Sequence, residues 1–120
     1  MKKSLATLLS GFMLVGSLFA FGCGSAKSDV IKVGVAVPLT GASAEDGNAI
    51  KNGVNLAVKE INAKGGINNK KVELVVADDK GDPSEAATVA NKLAQDKRVL
   101  AIVGHFNSSC TLAAAPIYNQ

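Results

Sequence analysis

The chain is 120 residues long, 48% hydrophobic, 19% charged and 4% aromatic with no Trp, a composition that allows one small folded domain and excludes a disordered or fibrous chain. Its formal charge is +3, and Lys2 and Lys3 supply two of those positives, so the remainder is close to neutral with acids and bases interspersed. With no basic stripe or aromatic platform there is little electrostatic reason for a nucleic-acid partner; Cys23 and Cys110, the two cysteines of the chain, lie far apart in sequence, which excludes a zinc site of C-x2-C type and a dense disulfide framework.

Lys2 and Lys3 precede an apolar run over residues 5–21 that only small or hydroxyl residues interrupt, the profile of an export signal occupying residues 1–22. A membrane-spanning helix is the competing reading, but the run is marginal against the roughly 20 apolar residues that spanning needs, and small polar residues follow it rather than a positive cluster. Ala20, Phe21, Gly22 and Cys23 resemble a bacterial lipobox, in which the cysteine becomes a lipidated N-terminus after cleavage. Cys23 is therefore the expected lipidation site and residues 23–29 a flexible tether, with ordinary cleavage after Gly22 as the alternative. Either route exports the rest of the chain, to the periplasm or the cell surface.

From Val30 the run IKVGVAVPL is β-branched and, apart from Lys32, apolar on both sides, which predicts a strand buried on two faces and closed by Pro38. Residues 43–64 place Ile50, Val54, Ala57, Val58 and Ile61 at helical spacing, with Ser43 and Asp46 spaced as a capping box and Gly65-Gly66 as the stop. KVELVVA (71–77) is the second strand. Asp82, Pro83, Ser84 and Glu85 then supply an N-cap, a first-turn proline and an N3 acid to a helix whose apolar stripe is Ala86, Val89, Ala90, Leu93 and Ala94. A third strand is expected over 99–103, then a polar turn, HFNSSCT, and a helix over 112–120 with Pro116 as a kink.

Strand and helix alternating three times predict an α/β fold, a three-layer arrangement with a parallel sheet, right-handed crossovers and helices on both faces. Three such strands would leave a hydrophobic edge uncovered. The expectation is that residues 30–120 are the first part of a longer domain, incomplete at the C-terminus.

In open α/β sheets the ligand lies beyond the carboxyl ends of the strands, where crossovers part to opposite faces. With strand order 2-1-3, the loops over 39–46 and 104–111 meet there. Ser108 and Ser109 fall at a helix start, where free N–H groups, hydroxyls and the positive end of the helix dipole favour an anion such as a carboxylate; alternatively, Ser108 caps its own helix. Gly41 and Gly47 lack the spacing of a phosphate cradle. Asp78, Asp79 and Asp82 are read as solvated turn and capping acids rather than a metal site, for Lys80 interrupts them and no distal Glu completes a calcium loop. His105 has no G-x-S-x-G elbow near it and no evident acid to orient it, which favours a structural histidine, and Cys110 is read as a small packed residue or a disulfide partner.

Taken in order, IKVGVAVPLTG, EINAKGGI, ADDKGDPSEAATVANKL and IVGHFNSSCTLAAAPIY cover nearly all of the chain beyond the leader. This series resembles the N-terminal lobe of the branched-chain amino acid binding proteins that serve ABC importers, members of the type I periplasmic binding fold. The resemblance implies two α/β lobes joined by a hinge and a lipid-anchored receptor that captures an amino acid by its carboxylate and hands it to a membrane permease. It implies no cofactor and no covalent chemistry. It assigns Ser108, with Ser109 and Thr111 beside it, to the ligand carboxylate. Two departures accompany it: Asp46 stands where leucine-type binders often have an aromatic, and Gly81 and Asn107 stand where some members have a disulfide. Related ligands such as an amide, urea or an aromatic acid are the alternative, and a hydrolase using Ser108 and His105 is the reading from another class.

Overall fold

The computed structural model describes residues 30–120; the expected export signal, Cys23 and the tether lie outside the described residues. Six elements alternate along the chain: β1 (Ile31–Val37), α1 (Ala44–Ala63), β2 (Val72–Asp78), α2 (Pro83–Gln95), β3 (Val99–Gly104) and α3 (Ser108–Tyr118). The strands form one parallel sheet in the order β2-β1-β3, with Val35 opposite Val76 on one side and Val103 on the other. The crossover from β1 to β2 and the one from β2 past β1 to β3 run in opposite directions across the sheet, so the right-handed rule puts α1 on one face and α2 on the other, where α3 packs beside it.

The core gathers on the C-terminal half of β1, where Gly34 to Val37 are all buried. Ala36 faces Val89 and Leu93 of α2, with Val75, Ala77, Ile102 and Tyr118 packed around them, while strand alternation sends Val35 and Val37 to the α1 face. Burial on two faces thus holds for the end of β1 but fades outward. On the edge strand β3, Leu100 is 69% exposed, and Leu112 of α3 is 77% exposed, so an apolar margin stays open as expected.

The helix starts differ in how they are made. Asp82 is extended (φ −106°, ψ 128°), and its carboxylate accepts from the N–H groups of Ser84 and Glu85, as the D-P-S-E sequence predicts. Ser43, by contrast, sits at φ −101°, ψ 18°, away from the extended conformation that aims a cap side chain at the helix, so the expected capping box of α1 does not form. Along α1 the stripe Ile50, Val54, Val58 and Ile61 is half-buried, whereas Ala57 is exposed. The third helix begins at Ser108, where the serines are expected to open it and four residues before the apolar stretch that starts at Leu112, so the polar turn contracts to 105–107.

At the N-terminal ends of the strands Asp96 ties β1 to β3. Its carboxylate accepts from Lys32 Nζ at 2.7 Å and from Arg98 Nε and its terminal guanidinium nitrogen at 2.9 and 3.0 Å. Arg98, and then Lys32, hold this carboxyl far below the usual carboxylate range.

Candidate functional site at the carboxyl ends of the strands

Because the strands are parallel, the turns that follow them share one end of the sheet. They are packed together there by close approach of backbone. Gly47, the one buried residue of α1, lies so near Pro38 that a Cβ at position 47 would overlap the Pro38 carbonyl. Only glycine lets the first turn of α1 seat against the end of β1.

The turn after β2 supplies two carboxylates that go separate ways. Asp78 accepts from Leu39 N–H at 2.8 Å, Thr40 Oγ1 at 2.6 Å and Lys80 N–H at 2.9 Å, and so holds the loop that follows β1. Burial alone would raise its carboxyl, but the bonds from Thr40, Leu39 and Lys80 outweigh that and set it below the usual value. Asp79 is fully buried, with Oδ1 accepting from Gly81 N–H at 2.9 Å and Oδ2 standing 2.6 Å from His105 Nδ1. His105 Nε2 lies 3.2 Å from the Tyr118 hydroxyl. A carboxylate beside Nδ1 assigns the hydrogen to that nitrogen, and in neutral imidazole Nε2 then accepts from the tyrosine.

Two expectations are corrected by this chain of contacts. Solvated turn and capping acids describes Asp82 but not Asp79, whose carboxylate is enclosed beneath the turn after β3. The acid that orients His105, not evident in the sequence, is Asp79. Neither residue lies in a periodic segment, and they are 26 positions apart, so no spacing rule joins them. The available signal was the acid pair at the end of a strand, since consecutive side chains there point to opposite sides. With one ring nitrogen on Asp79 and the other on Tyr118, His105 has none left to take a proton from Ser108, which is exposed while His105 is buried. The arrangement is a brace rather than a nucleophile and base.

The brace ends at α3. Asn107 occupies the N-cap, without a side-chain cap bond, so Ser108 is the first residue of the helix and does not cap it. Ser108 and Ser109 are exposed at this uncapped end, where the first-turn N–H groups have no partner inside the helix and the helix dipole is positive. Thr111, also exposed, donates its hydroxyl hydrogen to the neighbourhood of the His105 and Asn107 carbonyls, both at 3.3 Å, clasping the turn from behind. The three residues assigned to a carboxylate therefore share one helical turn, with Ser108 and Ser109 at its open end.

Gly81 (φ +68°) and Asn107 are neighbours: a Cβ at position 81 would stand 3.2 Å from Asn107 Oδ1, an oxygen that is buried without a hydrogen-bond partner. The positions at which the resemblance implies a disulfide in some members are thus side by side, bridged here by packing. Cys110 is buried with a free thiol; burial, and then the charge of Asp79, push it up from its ordinary value. Asp46 is exposed in the first turn of α1.

The chain matches the family model described as periplasmic binding protein over residues 30–120. A Leu/Ile/Val-binding protein homolog from Brucella abortus is 45% identical over 114 residues, which is 95% of this chain and 30% of that protein. The crystal structure of a branched-chain amino acid transporter substrate binding protein from Streptococcus pneumoniae, in complex with isoleucine, superposes with a TM-score of 0.72 at 40% identity, covering 75% of this chain and 26% of that one. A solute binding protein of an ABC transporter from Rhodopseudomonas palustris, in complex with 3,4-dihydroxybenzoic acid, gives 0.67 at 34% identity, covering 74% and 24%. The chain spans less than a third of the length of these relatives.

Proposed function

The chain belongs to the periplasmic binding protein family, and from that membership we propose that it is part of an extracytoplasmic receptor that captures an amino acid of branched-chain type by its carboxylate and delivers it to an ABC permease. The observation that carries the reading is the N-terminus of α3, which has no side-chain cap bond and at which Ser108 and Ser109 are exposed, beside first-turn N–H groups that a helix leaves without partners of its own. Such an end contributes at most about 2 kcal/mol toward an anion, and one charge-assisted hydrogen bond about 1.5–3 kcal/mol. The sum corresponds to a millimolar dissociation constant, so tighter capture requires a second lobe that closes on the ligand, the hinge motion of periplasmic binding proteins. Binding, without covalent chemistry, is the proposed activity. Acylation of Cys23 would hold the receptor at the membrane, and mass spectrometry of the membrane fraction tests this: an unmodified, soluble N-terminus refutes it.

A second reading, an aromatic acid as ligand, is favoured by two observations. Asp46 stands where the resemblance implies an aromatic residue, and the Rhodopseudomonas palustris relative is in complex with 3,4-dihydroxybenzoic acid. Both ligand classes share the carboxylate that the α3 end would take. Calorimetric titration of the complete protein with leucine, isoleucine, valine, urea and 3,4-dihydroxybenzoate separates them. Micromolar heat with a branched-chain amino acid supports the first reading, heat with the benzoate alone supports the second, and urea binding without either acid overturns the carboxylate site.

A further inference from the structure

The acids that end β2 divide between the two loops of the site. Asp78 takes the loop after β1 through two hydrogen bonds, from Leu39 N–H and Thr40 Oγ1, and accepts a third from Lys80 N–H within its own turn. Asp79 takes the turn after β3 through His105, and Tyr118 closes the far side of the ring. The division follows from the pleat, because adjacent side chains at a strand end leave on opposite sides. β2 is not itself hydrogen-bonded to β3, since β1 lies between them. The buried contact at 2.6 Å therefore links two turns that the sheet ladder does not join directly. Ser108 begins three residues beyond His105, and Thr111 clasps the same carbonyls from the helix side.

We propose that Asp78 and Asp79 are positioning residues for the ligand, each setting the affinity of the site through its own loop, Asp78 through residues 39–43 and Asp79, by way of His105, through residues 105–109. This rests on the carboxylate reading above. The pair differs from a simple stability element in what it makes local: loss of either acid loosens one loop and spares the other.

The experiment uses the complete protein and its Asp78→Asn, Asp79→Asn, His105→Ala and His105→Asn variants, with L-leucine and L-isoleucine as probes. Apart from Lys80 and Gly81, whose N–H groups bond to these carboxylates, hydrogen exchange should rise in residues 39–43 and not in 105–109 for Asp78→Asn, and in residues 105–109 and not in 39–43 for Asp79→Asn. Affinity should fall roughly tenfold to a hundredfold in each, the scale of a lost hydrogen bond to a charged group. His105→Asn, whose amide can donate to Asp79 much as Nδ1 does, should recover most of the affinity lost in His105→Ala, a rescue that bulk packing would not give. Should Asp79→Asn fail to fold, Tyr118→Phe reports on the same brace and should loosen only residues 105–109. Affinity within twofold of the parent, unchanged exchange in the matching loop, or both loops loosening together in either variant overturns the proposal. If the parent binds neither amino acid, the functional reading fails, and the exchange pattern alone upholds or overturns the brace.

Discussion

Asp79 Oδ2 and His105 Nδ1 meet at 2.6 Å in the interior, although 26 residues separate them in sequence. Removing the imidazole leaves the buried carboxyl with Gly81 N–H as its side-chain partner. We expect His105→Ala to cost about 2–3 kcal/mol of folding stability, the scale of a buried polar group left unsatisfied, and Tyr118→Phe about 1 kcal/mol for a single hydrogen bond. Urea unfolding of the two variants checks the order, and a loss in Tyr118→Phe as large as that in His105→Ala would contradict it.

Ser108→Ala should weaken carboxylate binding by about 1.5–3 kcal/mol while stability barely changes, because Asn107 holds the cap position. Calorimetry paired with thermal melting reads both quantities. A loss confined to stability would mean that the hydroxyl serves only its helix.

The two N-caps give opposite expectations. Asp82→Ala should cost about 1 kcal/mol, since its carboxylate accepts from Ser84 and Glu85 N–H. Ser43→Ala should be near neutral, because that side chain makes no cap bond. Equal losses in denaturant titrations would contradict the cap geometries.

Asp96 supplies a dependence on acid. Its folded carboxyl is held far below the usual value by Arg98 and Lys32, and an unfolded Asp titrates near about 3.9. A depressed folded value means the contribution is present above the unfolded value and is lost as pH falls from there through the folded one. The melting-temperature gap between the parent and Asp96→Asn should therefore be open at pH 7 and narrow below about pH 4. Ligand affinity should be equal in both, since this cluster lies at the opposite end of the strands.

The alternation of strands and helices was legible because each segment carries its own period: the β-branched run of β1 and the 3.6-residue spacing of α2 need no tertiary information. The Asp82 cap was legible for the same reason, as D-P-S-E acts within four residues. What escaped was set at a distance. Asp79 looks like its neighbour Asp82 in sequence, and only the folded position of His105 separates the buried acid from the capping one. Ser43 has the right chemistry for a cap but the wrong backbone angles, which residue type does not encode. For the site, the serines at the start of α3 could be located by the turn they follow, whereas Asp78 and Tyr118 act through contacts that no local pattern announces.

The seating of Gly47 against the Pro38 carbonyl has a consequence for how the gene can drift. Every single-nucleotide missense change of a glycine codon introduces at least a methyl group, so every available neighbour at this position would push the start of α1 away from the end of β1. Many surface positions of α1 can wander through several residue types without cost, but codon 47 has no intermediate step through which to do so. A saturation library selected for ligand uptake should return glycine there almost alone, while Lys59, exposed farther along the same helix, accepts many replacements.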